Sequence, residues 1–185
     1  ADLSIFEEFE KNIKPNTKMV FIETPTNPMM KVADIARISE LAHKHGIIVV
    51  VDNTLMTPYY QRPLTLGADI VMHSGTKYLE GHNDTMAGFV VTKTNEYVEE
   101  LRKFLTYQGA CLAPLNAWLT LRGIKTLEIR MERHNSNTKK VAEFLRNHPK
   151  VTKVYYVGFS DHKDYEVQTR QASGFGGMLT FEVDT

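Results

Sequence analysis

A single cysteine, Cys111, rules out an intrachain disulfide, so the fold rests on its core and its hydrogen bonds. Within Gly-Ala-Cys-Leu-Ala it reads as a small packed residue rather than a nucleophile. Charge of neither sign is in excess. The 22 lysines and arginines balance 22 aspartates and glutamates, so no global field favours nucleic acid or an anionic membrane. No apolar run is long enough to cross a bilayer and no signal-peptide pattern is visible, which together with the lone cysteine points to a reducing, cytoplasmic setting. There is no Gly-x-Gly-x-x-Gly and no Gly-x-x-x-x-Gly-Lys, so dinucleotide or triphosphate cradling has no sequence support. The seven histidines show no metal-ligand spacing. Repeats and low-complexity segments are absent.

What is present is an ordinary globular composition. The 185 residues are 42% hydrophobic and 24% charged, enough for one large domain or one and a half small ones with a sizeable core. Leu3, Ile5, Phe6 and Phe9 already form one face of a helix with no initiator methionine ahead of them, and Phe181 to Thr185 stops inside an apparent strand. The chain reads as a piece of a longer protein.

After the opening helix, Lys18 to Glu23 is predicted to be a strand, its nearly continuous apolar run suiting burial on both faces. It empties into Thr24-Pro25-Thr26-Asn27-Pro28, where two prolines exclude helix and stiffen a loop able to aim Asn27. Ile35, Ile38, Leu41, Ala42 and His45 recur at helical spacing, with Asp34 near the first turn and Gly46 as the stop. Ile47 to Val51 is a β-branched strand, completing a βαβ unit with parallel strands. Asp69 to Met72 gives a third parallel strand, and Gly88 to Thr92 another that closes one side of the sheet. Asn95 to Tyr107 is predicted helical, with Val98, Leu101, Phe104 and Leu105 on its apolar side. Pro114 opens the next helix, which runs to a stop at Arg122-Gly123. Lys125 to Asn147 forms one long helix of roughly 23 residues, about 35 Å at 1.5 Å per residue. Its polar middle, His134-Asn135-Ser136-Asn137, suits a link between two domains. Val151 to Val157 is a strand, Gly158 to Gln171 a polar connection, and Met178 to Val183 a strand beginning a second region. The division is therefore 1–124, 125–148 and 149–185.

Polar loops leave the carboxyl ends of the three parallel strands, where open α/β sheets place their ligands. Asp52 ends a wholly apolar strand and is costly to bury alone, so either a cationic partner or a capping role is expected. His73-Ser-Gly-Thr-Lys-Tyr78 sets Lys77 among two hydroxyls, Ser74 and Thr76, with Gly75 for close packing. Such a group suits a carbonyl bound as a Schiff base beside an anion. A surface lysine after a strand has the same pattern, and these six residues alone do not separate the two. His73 reads as a packed neighbour rather than a base.

Glu23-Thr-Pro-Thr-Asn-Pro28, Val51-Asp-Asn-Thr54, Gly67-Ala-Asp69, His73-Ser-Gly-Thr-Lys-Tyr78, Gly81-His82, Leu121-Arg-Gly-Ile-Lys-Thr-Leu127 and Arg130-Met131, taken together, resemble the trans-sulfuration, or Cys/Met metabolism, family of pyridoxal-phosphate enzymes. The match is ordered and covers nearly the whole chain. It implies an α/β fold with a mostly parallel sheet flanked by helices, the aspartate-aminotransferase-like type I fold, present as a large-domain fragment plus the start of the small domain. It also implies that Lys77 carries pyridoxal 5'-phosphate as a Schiff base and moves protons on the substrate. Ser74 and Thr76 would bind the phosphate, Asp52 would pair with the pyridine nitrogen, Thr54 would line the ring, and Asn27 would bond the phenolic oxygen. No metal is implied. The activity that goes with the resemblance is carbon–sulfur elimination from cystathionine, a sulfur-containing amino acid, by a homo-oligomer, a tetramer built as a dimer of dimers.

Asp69-Ile-Val-Met-His-Ser74, Met86-Ala-Gly88, Leu112-Ala-Pro114 and Lys153-Val-Tyr-Tyr156 look most like cystathionine β-lyases, with γ-lyase and γ-synthase as alternatives. Two departures stand out. Family subunits run to roughly twice this length, which would leave the glycine-containing phosphate loop and the arginine for the substrate carboxylate in the other half. A non-catalytic fragment is the competing reading of another class. Gly75 stands where many relatives have alanine or cysteine, a change expected to be tolerated. A different lysine-dependent α/β enzyme, such as an aldolase, is argued against by the Asp52 and Asn27 loops.

Overall fold

The β-branched runs become the sheet. The computed structural model describes residues 1–184, and its main sheet has the order β1 (Met19–Glu23), β2 (Ile48–Asp52), β3 (Ile70–Ser74) and β4 (Gly88–Thr92). The first three are parallel and β4 runs antiparallel to β3, so the α/β class and the mostly parallel sheet are as the sequence implies. Helices α1 (Phe6–Asn12) and α2 (Ile35–Lys44) bury Phe9, Ile35, Ile38 and Ala42 against Val20, Ile22, Val49, Val51 and Val71. Each fully buried aliphatic side chain here contributes roughly 1.5–3 kcal/mol. The bounds of α2 are local chemistry. Asp34 accepts from the Arg37 N–H at the N-cap, and Gly46 leaves the helix at φ +65°.

Burial along β1 alternates instead of covering both faces. Met19 and Phe21 are each 51% exposed, because alternate side chains point to opposite faces and only Val20 and Ile22 meet the helical layer. Helix α3 (Thr57–Tyr60) is a single turn after β2. Helix α4 (Asn95–Gln108) forms where expected, yet Val98, Phe104 and Leu105 on its apolar side stay exposed. Cys111 is an exposed free thiol rather than a packed residue. It lies between α4 and α5, in a loop that Gly109 enters at φ +66° and that carries no core side chain.

Helix α5 (Pro114–Ile124) opens on its proline and ends at Ile124, one residue past the expected Arg122-Gly123 stop. A Cβ at Gly123 would lie 2.0 Å from the Glu80 carbonyl oxygen, so this glycine permits a close crossing. Helix α6 (Leu127–Arg146) buries Leu127, Met131, Thr138 and Ala142. Strands β5 (Val151–Tyr155) and β6 (Thr180–Val183) pair antiparallel. Between them, α7 (Tyr165–Gln171) replaces part of the expected polar connection. Its inward side is amide rather than apolar. Gln171 accepts from the Ile35 N–H at 3.2 Å and donates to Ala33 O at 3.1 Å, while Gln168 donates to Gly174 O at 2.9 Å. Just ahead of the helix, Asp164 accepts from the Val32 N–H at 3.1 Å.

Gly123 sets a test of this packing. A helical glycine-to-alanine change ordinarily gains about 1 kcal/mol, whereas overpacking against fixed backbone costs about 1–3 kcal/mol or more. Gly123→Ala is therefore predicted to lower the urea midpoint. An unchanged or raised midpoint would reduce Gly123 to a helix-end residue.

Candidate active site

Register places Glu23, Asp52 and Met72 side by side, so β1, β2 and β3 end along one rim. The loop after β1 carries Asn27, the segment after β2 carries Thr54, and the end of β3 carries Ser74 and a tight turn, Gly75–Leu79, with Thr76 and Lys77. Both X-Pro bonds of the first loop are cis. That loop closes on itself, with Thr26 N–H donating to Lys31 O at 2.9 Å and Lys31 N–H to Thr26 Oγ1 at 3.0 Å. Asn27 is exposed. Its backbone N–H donates to Glu23 Oε1 at 3.2 Å, and its side-chain amide has no protein partner among the described residues.

Thr54 is the hub between β2 and β3. Asp52 Oδ1 accepts from the Thr54 N–H at 2.9 Å and from the Thr54 hydroxyl at 2.5 Å, and Thr54 Oγ1 accepts from the Ser74 N–H at 2.8 Å. One hydroxyl proton and two lone pairs allow both roles at once. Asp52 thus caps the segment that follows it. The cationic partner suggested by its position does not appear, because no lysine or arginine reaches it among the described residues and Thr54 supplies the hydrogen bonds instead. Asp52 Oδ2 has no protein partner among the described residues. Behind this rim the buried Asn53 donates to Gln61 O at 2.8 Å and accepts from Gln61 Nε2 at 3.0 Å. Neither amide is assigned a role by the sequence, where Asn53 is visible only as the middle of Val-Asp-Asn-Thr.

The lysine turn is closed by Glu80 N–H to Gly75 O at 3.0 Å, an i to i−5 bond, and ψ at Lys77 is −121°. Lys77 itself is exposed. The Thr76 hydroxyl accepts from the Ala87 N–H at 3.1 Å and donates to Ala87 O at 3.3 Å, fastening the turn to the start of β4. The Ser74 hydroxyl has no protein partner among the described residues. A Cβ at Gly75 would meet Phe89 Cε2 at 2.4 Å and Ala87 Cβ at 2.9 Å, so the glycine of this motif is matched to Phe89. His73 is 5% exposed, and burial pushes its imidazole pKa down although the Asp52 charge opposes the shift. That makes it a packed neighbour and a poor base. Burial pushes the Tyr78 phenol up.

A primary amine, a carboxylate oxygen with open acceptor capacity, a hydroxyl and an amide at the ends of adjacent parallel strands are suited to hold a carbonyl cofactor with an anionic arm. Over residues 1–185 the chain matches the Cys/Met metabolism PLP-dependent enzyme family, and it belongs to that family. It is 51% identical over 183 residues to the cystathionine gamma-lyase of Bacillus subtilis (strain 168), across 99% of this chain and 48% of that protein. To the cystathionine beta-lyase of Lactococcus lactis subsp. cremoris (strain MG1363) it is 48% identical over 183 residues, with the same coverage. The crystal structure of cystathionine gamma-lyase from Lactobacillus plantarum complexed with L-serine matches with a TM-score of 0.97 at 43% identity, over 100% of this chain and 48% of that one. The chain spans about half the length of the curated relatives it matches.

Two outcomes follow from the geometry. Thr54→Val leaves the Ser74 N–H and Asp52 Oδ1 without their hydroxyl and should destabilise the protein by about 1–3 kcal/mol in urea unfolding, whereas Thr54→Ser keeps both bonds. Equal stability of the valine and serine variants would remove the hub. Burial also holds His134 and His162 below the ordinary imidazole value of 6.5. With folded values lowered, their stability contribution, and that of His73, is present above pH 6.5 and is lost as pH falls through the folded values, because the unfolded chain takes up protons the folded state refuses. Urea midpoints should fall below pH 6.5 and His73→Gln should flatten part of that slope; an unchanged slope contradicts this.

Proposed function

We propose that the full protein is a pyridoxal-phosphate-dependent carbon–sulfur lyase acting on cystathionine, with Lys77 and Asp52 as its catalytic pair. The observation that carries the reading is the Asp52 carboxylate, tied through Oδ1 to Thr54 while Oδ2 remains open at the same rim as Lys77. Bound there, pyridoxal phosphate supplies an electron sink for charge developing at the substrate Cα. Asp52 Oδ2 would accept the pyridine N–H and keep that proton in place. Lys77 Nζ moves the proton at Cα. The Ser74 and Thr76 hydroxyls would hold the phosphate. Thr54 would line the ring and the Asn27 amide would bond its phenolic oxygen. These residues are half of a site. The family's remaining phosphate loop and carboxylate-binding arginine are assigned to the other half of the subunit. With this goes a division into a cofactor portion, 1–124, a linking helix, 125–148, and the start of a small domain, 149–185, in a cytoplasmic homotetramer.

Two outcomes of elimination compete. Met72-His73-Ser74 and Leu112-Ala-Pro114 look like β-lyases, which puts β-elimination first, and the near-equal identities to proteins named cystathionine gamma-lyase, 51%, and cystathionine beta-lyase, 48%, keep the γ reading beside it. Both need the Cα proton removed, and γ-elimination needs a second removal at Cβ. Incubating the full-length protein with cystathionine separates them: pyruvate with homocysteine means β-elimination, and 2-oxobutyrate with cysteine means γ-elimination. Neither product would sink the lyase reading. Asp52→Asn should lower turnover on the order of a hundredfold or more while the cofactor still binds. Near wild-type turnover would leave Asp52 as a cap only.

A further inference from the structure

One face of α6 holds the residue that follows Lys77 from two sides. Arg130 Nη1 donates to Tyr78 O at 2.7 Å, and Nη2 donates to Gly123 O at 2.9 Å and Leu79 O at 3.5 Å. Its Nε donates to Thr126 Oγ1 at 3.0 Å, so the planar fork is fixed at both ends. Four residues on, the His134 ring meets the Tyr78 ring edge-on, with centroids 5.2 Å apart.

Glycines leave room for this arrangement. A Cβ at Gly81 would lie 2.1 Å from Arg130 Nη1, and one at Gly177 would lie 2.7 Å from the Tyr78 hydroxyl and 2.9 Å from His134 Cβ. The turn is also anchored beyond Tyr78. Glu80, 1% exposed, accepts from the His82 and Asn83 N–H groups at 3.0 Å each. Between these anchors Lys77 departs from helical geometry, so the direction of its side chain depends on where Tyr78 is held.

We propose that Arg130 and His134 are positioning residues for Lys77, clamping the Tyr78 carbonyl and ring so that Nζ meets the Cα–H of the sulfur amino acid in line for proton transfer. The proposal rests on the assignment of Lys77 made above. Proton transfer is sensitive to donor–acceptor geometry at the ångström level, so a loosened clamp slows the chemical step more than it weakens binding.

The test uses the full-length, cofactor-loaded protein. Borohydride reduction and peptide mass mapping come first; a phosphopyridoxyl adduct absent from the peptide containing Lys77 removes the assignment of Lys77 and the clamp with it. With the adduct in place, Arg130→Lys and His134→Ala should each lower kcat on the order of tenfold to a hundredfold. KM should stay within about twofold, and the Cα-deuterium isotope effect on kcat should rise. The visible circular dichroism of the bound cofactor should weaken, and His134→Phe, which keeps an aromatic edge against Tyr78, should restore it. Lys140→Gly, exposed and ten residues beyond Arg130 on α6, lowers helix stability and should leave all three readouts at wild-type values. Wild-type kcat, isotope effect and dichroism in both Arg130→Lys and His134→Ala would overturn the clamp. So would the same losses in Lys140→Gly. Should Arg130→Lys fail to fold, His134→Ala against His134→Phe decides alone.

Discussion

One hydroxyl group carries the connection between β2 and β3 past the point where their backbone bonding ends. The last main-chain bond between them runs from Asn53 N–H to Met72 O at 3.0 Å, and Thr54 Oγ1 takes the next amide, that of Ser74, while giving its own proton to Asp52. The lysine turn starts one residue later. Position of the turn and direction of the carboxylate are therefore set by the same atom. With Oδ1 engaged twice, the Asp52 carboxylate is held in one rotation, which leaves Oδ2 facing a fixed direction. Preorganisation of that kind is what makes a charge effective at a reacting centre.

Support for the rim comes from far along the chain. Gln171 and Asp164 bond the backbone of Ile35, Ala33 and Val32, just after the Asn27 loop. Asn135 Oδ1 accepts from the Phe175 N–H at 3.0 Å, and Arg130 bonds the end of the lysine turn. Each such bond contributes about 1 kcal/mol net, so their main effect is geometric: they leave the loops few alternative conformations. In the polar middle of α6, Asn135 turns inward to Phe175 while the exposed His134 lays its ring edge-on against Tyr78, and Ser136 and Asn137 face solvent.

Strand cores and strand ends were legible because local chemistry decides them. Ile47 to Val51 is β-branched throughout, and paired prolines forbid helix between Thr24 and Pro28. The loops at the strand ends could be linked to a cofactor only through their resemblance to a family, since no single loop separates a catalytic lysine from a surface one. Other features lay in tertiary context. Phe21 sits on an uncovered face of β1, Gly123 marks a crossing with Glu80 as well as the end of a helix, and Cys111 falls in a loop outside the core. Helix α7 escaped because its buried face is built from Gln168 and Gln171, and periodicity searches look for apolar residues. Asn53, Gln61 and Arg130 bind carbonyls and amides across the fold, which composition and spacing do not encode.

If the Thr54 hydroxyl acts through Asp52, removing either group should remove part of the effect of the other. A double-mutant cycle of Thr54→Val and Asp52→Asn in the full-length protein, read as the dissociation constant of pyridoxal phosphate, measures that directly. The predicted coupling is about 1 kcal/mol or more, as found for residues sharing one hydrogen bond network. Free energies that add to within about 0.5 kcal/mol would contradict it, because independent sites behave that way.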